Sequence, residues 1–143
     1  MRIKDVLAAK PRHEVVTATP GSTVRDLVAS LAEHNLGALV VSGDGTHLDG
    51  IVSERDVVRH LGRDASVLDA SVEQIMTSAV RTCTPEDRLD DLLSLMTEHR
   101  IRHVPVVDGD ALVGIVSIGD LVKHKISALE FERDQLDSYV HQS

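Results

Sequence analysis

A hydroxyl and a carboxylate recur at the same spacing in two places of the sequence. Ser53-x-x-Asp56 and Ser117-x-x-Asp120 each follow a Gly-Ile-Val run and precede an apolar helical pattern. This spacing is typical of a capping box at a helix N-terminus. The same step suits a ligand, because the free amides and the positive dipole end of a helix attract an anion. A carboxylate beside them suits a vicinal diol, so helix capping and ribose-phosphate binding are both open.

The two steps belong to an internal repeat. Pro20 recurs as Pro85 and Val41 as Val106, both 65 positions later, and after the next turn the offset becomes 64. Upstream, the apolar pattern of residues 3–7 matches that of residues 72–76 at an offset of 69. The first copy therefore has four extra residues, around Lys10 to His13. A tandem duplication predicts two similar halves.

Each copy is predicted to fold in the order strand, helix, strand, strand, helix. In the first copy the strands are predicted at residues 15–17, 38–41 and 48–52. The first helix is expected to use Ser22 as its N-cap and to stop near Asn35, which can adopt a left-handed conformation. The side chains expected to face the core are Val24, Leu27, Val28 and Leu31 in this helix, and Val57, Val58 and Leu61 in the helix that starts at Ser53.

The second copy repeats this plan. Its strands are predicted at residues 80–83, 104–107 and 112–116, and its first helix is expected to bury Leu89, Leu92, Leu93 and Met96. Pro105 cannot donate to a sheet ladder, so it predicts either an edge position or a bulge. The last helix has no breaker and is expected to run from Ser117 to about Tyr139.

Short helices at residues 3–9 and 72–77 are predicted to lead the two copies, and residues 62–70 to connect them. We place the division between residues 1–66 and residues 67–143. Neither half can bury its apolar face alone, so the halves are expected to pack on each other with approximate two-fold symmetry.

Composition limits the partners and the location of the protein. A chain of 143 residues suits one compact body, and with aromatic residues at 1% we expect no base-stacking platform for nucleic acid. The formal net charge of −8 disfavours a phosphate backbone or an anionic membrane as a partner. We find no run that resembles a signal peptide or a transmembrane helix, which indicates a cytoplasmic protein.

The residues that could perform catalysis are not arranged for it. Cys83 is the only cysteine, and its counterpart in the first copy is Ala18 within a predicted strand, which indicates a small buried side chain. Four histidines lie on or near helices without any cluster at metal-ligand spacing: His34, His60, His99 and His124. We therefore expect neither a metal site nor an enzyme.

The two Gly-Ile-Val-Ser-x-x-Asp copies and the run Arg102-His103-Val104-Pro105-Val106-Val107 resemble a tandem pair of CBS (cystathionine β-synthase) domains, also called a Bateman module. The likeness covers residues 3–126, as in a small stand-alone bacterial-type CBS protein. It implies an α+β fold of two βαββα repeats packed sheet to sheet about a pseudo-two-fold axis, here with an extended C-terminal helix. It also implies two clefts for adenosine-containing ligands and a homodimer.

The resemblance assigns residues to each cleft. Asp56 and Asp120 would bind ribose hydroxyls, and Ser53 and Ser117 would contact phosphate or ribose. Each cleft would also borrow from the opposite repeat. The Asp56 cleft would take Arg102, His103, Val104 and the backbone from Ser78 to Val80. The Asp120 cleft would take Gly37, Ala38 and the backbone from His13 to Val16.

The two clefts differ in predicted charge. Arg55, Arg102 and His103 of the Asp56 cleft correspond to Gly119, Gly37 and Ala38 of the other. Charge-assisted contacts contribute about 1.5–3 kcal/mol each. A phosphate-bearing nucleotide is therefore predicted to prefer the Asp56 cleft, while the Asp120 cleft is weaker, takes a less charged ligand or is empty. Arg102→Ala and Gly37→Arg are expected to change the nucleotide affinities.

The resemblance implies a sensor of adenine nucleotides, with AMP, ADP, ATP or NAD(H) expected ahead of S-adenosylmethionine. The sequence shows no second domain for a ligand to regulate, so the sensor would act on a separate protein, through its dimer geometry or its C-terminal helix. The alternative is a structural dimerisation module without ligand-dependent regulation. Both Ser-x-x-Asp steps and the cationic cleft favour the sensor.

Overall fold

Two small β-sheets form the centre of the fold. The structure is a computed structural model, and it describes residues 1–11 and 14–141. In the first sheet, β1 (Thr17–Ala18) is parallel to β2 (Ala38–Val41), and β3 (Gly50–Ser53) is antiparallel to β2. In the second sheet, β4 (His103–Asp108) is antiparallel to β5 (Ala111–Ser117).

Helices cover both sheets. The α-helices of the described chain are α1 (Ile3–Ala9), α2 (Val24–His34), α3 (Glu54–Leu61), α4 (Leu89–His99) and α5 (Ile118–His141). Two 3-10 helices, Ala65–Asp69 and Val72–Gln74, lie between α3 and α4. The predicted α+β fold of two similar repeats with a long C-terminal helix is confirmed. No helix in the described part of the chain is long and apolar enough to span a membrane.

Residues 80–83 form a single bridge and not the predicted strand. The Cys83 amide donates to the Pro105 carbonyl at 3.1 Å, and the Val107 amide donates to the Cys83 carbonyl at 2.9 Å. Of these four residues only Cys83 is fully buried, so the sheet holds the segment at one point. β4 therefore lies between Cys83 and β5 and is not an edge. Pro105 is tolerated beside a register shift between Val106 and Val107, which is the predicted bulge.

Local hydrogen bonds set the ends of α2 and of the short helix after it. The N-cap of α2 is Thr23 and not Ser22, because the Thr23 hydroxyl accepts from the Asp26 amide at 3.1 Å. The Ser22 hydroxyl donates instead to the Thr19 carbonyl at 2.7 Å. Asn35 has φ 52° and ends α2 in the left-handed conformation, as predicted. The helix predicted at residues 72–77 is only a 3-10 turn.

α3 buries fewer residues than its apolar pattern predicts. Val57 is 6% exposed, but Val58 is 68% and Leu61 40% exposed. Consecutive helical residues point about 100° apart, and the core lies on the side of α3 that carries Val57, which leaves Val58 outside. Val28 on α2 is also exposed. These apolar side chains lie on the outside of the described chain.

The leading segment of each repeat packs into the core of the other repeat. Ile3 and Val6 of α1 are buried with Leu89, Met96 and Leu121 of the second copy. In turn, the segment of the second 3-10 helix contributes buried side chains to the core of the first copy. Each half therefore completes the core of the other. The division between residues 1–66 and 67–143 stays a prediction.

Glycines let the leading segments approach the strands. A Cβ on Gly50 would lie 2.6 Å from Sδ of Met76 and 2.9 Å from the Thr77 carbonyl oxygen. A Cβ on Gly114 would lie 2.7 Å from Cδ2 of Leu7. Leu7 and Met76 are therefore equivalent in space, as the offset of 69 predicts.

Candidate functional site

Both Ser-x-x-Asp steps form capping boxes. Oδ2 of Asp56 accepts from the Ser53 amide at 2.9 Å and from the Ser53 hydroxyl at 3.2 Å. Oδ2 of Asp120 accepts from the Ser117 amide at 2.9 Å. The capping interpretation is confirmed, but it uses one carboxylate oxygen. Oδ1 of Asp56 has no hydrogen-bond partner within the described residues, which leaves it able to accept from a ligand.

A cavity of about 600 Å³ opens at Asp56. α3 supplies Asp56 at its first turn, directly after Ser53, and β3 supplies Ile51. Val80 and its neighbours Thr77 and Ala79 form the wall beside them. This volume lies within the range of small-molecule binding sites, about 300–1,000 Å³.

Basic side chains dominate the wall of this cavity. Arg102 and His103 reach it from the opposite repeat, where they were predicted for the Asp56 cleft. The basic side chains of the wall are Arg55, Arg59, Arg81, Arg100, Arg102, His99 and His103. None of its five arginines forms an ion pair within the described residues. In a chain of net charge −8, this local excess of positive charge favours an anionic ligand.

Three of these arginines were not predicted as site residues. Arg59 follows Arg55 by one helical turn, which is a signal that the sequence does contain. Arg100 takes the position equivalent to Asn35 and has φ 55°, the same left-handed helix stop. Arg81 follows Val80 in the segment that is held only at Cys83. The sequence does not show that this segment faces the cavity.

Gly37 and Ala38 also line the cavity at Asp56, although they were expected at Asp120. A Cβ on Gly37 would lie 3.2 Å from Cε1 of His103, so the starts of β2 and β4 meet beside this cavity. The replacement Gly37→Arg would therefore intrude on His103 and on the Asp56 cavity.

Three further predicted residues lie at the margins of the cavity or away from it. Val104 is 0% exposed, and its side chain lies in the core of the second repeat. Val16 is half-buried against the first core, and Ser78 is exposed between Thr77 and Ala79. His13, predicted near Asp120, lies outside the described residues.

Lys10 covers Asp120. The Lys10 ammonium donates to Oδ2 of Asp120 at 3.0 Å and to the Ile115 carbonyl at 2.9 Å. Burial opposes ionisation of Asp120, but the Ser117 amide and the Lys10 ammonium outweigh it and hold the pKa of this carboxyl below its ordinary value. The adjoining cavity is only about 200 Å³. Lys10 was not predicted as a site residue, although it lies where the four extra residues of the first copy begin.

Burial lowers the pKa of His103, and the charges of Lys10 and Arg102 lower it further, against the opposing effects of Asp120 and Glu54. The unfolded chain therefore binds the proton more readily than the folded one. Stability should fall as the pH is lowered below about 6.5, the ordinary pKa of the group. In urea titrations across this range, the stability of wild type relative to His103→Gln should decrease. A constant difference would contradict the assignment.

The described residues show no arrangement for metal or thiol chemistry. They contain no group of histidine, cysteine or acidic side chains placed to hold a metal ion. Burial raises the pKa of Cys83 from 9.0 to about 12, with a smaller effect from Asp87. Because the thiolate is the reactive form and the side chain is buried, native Cys83 should react with a disulfide reagent much more slowly than the unfolded chain does. Equal rates in buffer and in denaturant would contradict this prediction.

The family model of the CBS domain matches residues 3–63 and 72–127. The chain belongs to the CBS domain family. This CBS pair is 36% identical over 148 residues to the mitochondrial CBS domain-containing protein CBSX3 of Arabidopsis thaliana, covering 96% of this chain and 71% of that protein. It is 32% identical to the CBS domain-containing protein YhcV of Bacillus subtilis, covering 87% of this chain and 86% of that protein.

Solved CBS structures share the fold. A CBS-domain containing protein from Agrobacterium tumefaciens superposes with a TM-score of 0.82 at 38% identity, over 87% of this chain and 99% of that one. A CBS domain pair in complex with 5′-methylthioadenosine and S-adenosyl-L-methionine superposes with a TM-score of 0.78 at 27% identity, over 90% of this chain and 98% of that one. The resemblance predicted from the sequence is thus confirmed. Cytoplasmic localisation stays a prediction.

Proposed function

We propose that this CBS pair is a regulatory module that senses adenine nucleotides through the cavity at Asp56. One observation carries the proposal. A carboxylate with a free oxygen stands at a helix N-terminus, in a cavity of about 600 Å³ that also holds five unpaired arginines of the described chain. A diol acceptor and an anion site are therefore side by side, as a ribose phosphate requires.

The proposed pose follows from the wall of the cavity. The ribose hydroxyls donate to Asp56, whose second oxygen keeps the helix cap intact. The phosphates lie towards Arg55, Arg102 and the other basic side chains. The adenine contacts the apolar part of the wall, which includes Ile51 and Val80. Each part of the nucleotide thus meets a surface of suited chemistry.

The charge of the cavity selects among adenosine ligands. Each charge-assisted contact contributes about 1.5–3 kcal/mol, so affinity should rise with the number of phosphates. ATP, ADP and NAD(H) are favoured over AMP, and S-adenosylmethionine is disfavoured because its sulfonium is positive. The solved CBS pair with 5′-methylthioadenosine and S-adenosyl-L-methionine supports an adenosyl group as the common element.

Calorimetric titration tests the proposal. ATP, ADP, AMP, NADH and S-adenosylmethionine are titrated separately, with GTP as the control for base recognition. ATP should bind most tightly of the adenine mononucleotides, and at 100 times its dissociation constant it should add about 2.7 kcal/mol to the free energy of unfolding. Arg102→Ala should weaken ATP binding, whereas Arg133→Ala, at an exposed site on α5, should not. Absence of binding by every adenine ligand would refute the proposal.

The regulatory output is proposed to pass through α5 to a separate protein. Beyond Leu121 this helix exposes Ile126 (50%), Leu129 (52%) and Leu136 (65%). Their spacings of three and seven residues fit the a and d positions of a heptad pattern, interrupted by Arg133, and such a pattern is typical of a helix that pairs with another helix. A homodimer would cover these side chains, and ATP would then alter the pairing. We expect ATP to change hydrogen exchange at residues 126–140.

The same exposed apolar residues favour the second candidate function, a dimerisation module that ignores ligands. Sedimentation measured with and without ATP separates the two. A dimer whose association constant and hydrogen exchange are both unaffected by bound ATP would support the dimerisation module.

A further inference from the structure

We infer that Lys10 blocks the second cleft, so that one chain binds one adenine nucleotide, at Asp56, and none at Asp120. The inference rests on the proposed function for the choice of ligand. The block itself is visible in the protein alone, because it is a contact within one chain.

Lys10 lies across the place where a ligand would bind. Its ammonium bridges the Ile115 carbonyl and the Asp120 carboxylate, at 2.9 Å and 3.0 Å. The equivalents of these two residues in the first cleft are Ile51 and Asp56, which both line the open cavity. The surface that is free in the first cleft is thus covered by a side chain in the second.

The two clefts differ in the residue at one equivalent position of the repeat. At the offset of 69, Lys10 corresponds to Ala79 in the sequence. The packing of Leu7 on Gly114 and of Met76 on Gly50 shows that the same alignment holds in space three residues earlier. Ala79 lies on the wall of the 600 Å³ cavity with only a methyl group. A long cation in one copy and a methyl group in the other therefore separate a closed cleft from an open one.

The ion pair is sheltered enough to persist. The side chains of Lys10 and Asp120 are 25% and 28% exposed, whereas the surface pair of Lys4 and Glu86 is 54% and 70% exposed. A nucleotide that entered the second cleft would have to displace the ammonium and leave it without its carboxylate, which is costly for a half-buried charge. The low pKa of Asp120 agrees with this arrangement.

The block gives the asymmetry of the clefts a different cause from the one predicted. The sequence predicted a weak second cleft because Gly37, Ala38 and Gly119 supply no cations. The structure instead places a cation directly on the carboxylate that would bind ribose. Removing that cation should open a site, which a shortage of positive charge alone would not predict.

The test replaces Lys10 by Ala and Ala79 by Lys, and calorimetry measures how many ATP molecules each variant binds per chain. Wild type should bind about one ATP per chain, and Lys10→Ala should bind a second. Ala79→Lys should lose most ATP binding at Asp56. Adding Asp120→Asn to Lys10→Ala should abolish the second site, and Lys10→Ser should behave as Lys10→Ala. A Lys10→Ala protein with native circular dichroism and unchanged stoichiometry would overturn the inference.

A measurement without ligand keeps this inference separate from the proposed function. If wild type binds no ATP, the proposed function fails, and nuclear magnetic resonance of the lysine ammonium groups decides the block. The Lys10 ammonium should exchange its protons more slowly than that of exposed Lys4, and Asp120→Asn should remove this protection. Exchange of Lys10 as fast as that of Lys4 would overturn the block.

Discussion

Asp56→Asn is expected to weaken ATP binding by about tenfold to a hundredfold, the loss of one or more charge-assisted hydrogen bonds. The amide keeps the size of the side chain but removes the charge that makes it a strong acceptor for a diol. Asp120→Asn is the matched control, because Asp120 occupies the same position in the other repeat. It should leave the affinity for ATP at the first cleft unchanged.

Affinity and not stability is the readout for this pair of variants. Both substitutions weaken a helix cap, at a cost of about 0.5–2 kcal/mol. Asp120→Asn should cost more, because it also leaves Lys10 without its carboxylate. Calorimetry at one fixed salt concentration measures the affinities, and urea titration measures the stabilities. Equal loss of ATP affinity in both variants would contradict the assignment of the nucleotide to the Asp56 cavity.

Gly50→Ala should destabilise the fold by about 1–3 kcal/mol, and Gly114→Ala by less. The new Cβ at Gly50 would press on the Thr77 carbonyl, whose oxygen accepts from the Ile51 amide at 3.0 Å. The Thr77 amide also donates to the Ile51 carbonyl at 2.9 Å, so this backbone cannot move away without losing two hydrogen bonds. At Gly114 the nearest atoms belong to the Leu7 side chain, which can rotate.

Thermal unfolding checks this pair of glycine variants. A loss of 1–3 kcal/mol corresponds to a fall of several degrees in the melting temperature of a domain of this size. Gly50→Ala should also reduce ATP affinity, because Thr77 and Ala79 form part of the cavity wall. The explanation would be wrong if Gly114→Ala were the more destabilising of the two.

Local patterns were enough to predict the capping boxes and most of the helices and strands, although not the 3-10 turn at residues 72–74 or the single bridge at Cys83. The Ser-x-x-Asp spacing describes one helical turn, so the contacts of Ser53 with Asp56 depend on neighbours in the chain alone. The stop at Asn35 is equally local. The periodicity of α3 was less informative, because three aliphatic side chains on one short helix do not show which of them faces the sheet, and Val58 is exposed.

Contacts between distant residues could not be predicted in the same way. Lys10 lies where the four-residue insertion of the first copy begins, so the repeat does not fix the direction of its side chain, and its partner Asp120 is 110 residues away. The repeat alignment does not show that the starts of β2 and β4 meet, so Gly37 was placed at the other cleft. Arg81 was missed because the segment around it is irregular and is held at Cys83 alone.

The exchanged leading segments have a consequence for how the protein could be divided. α1 completes the core of the second repeat, and the segment from Val72 to Ile75 completes that of the first. A cut between the repeats would leave two fragments, each with a gap in its interior and a detached apolar helix or turn. We expect such fragments to regain native structure only when they are mixed, as a single folding unit would.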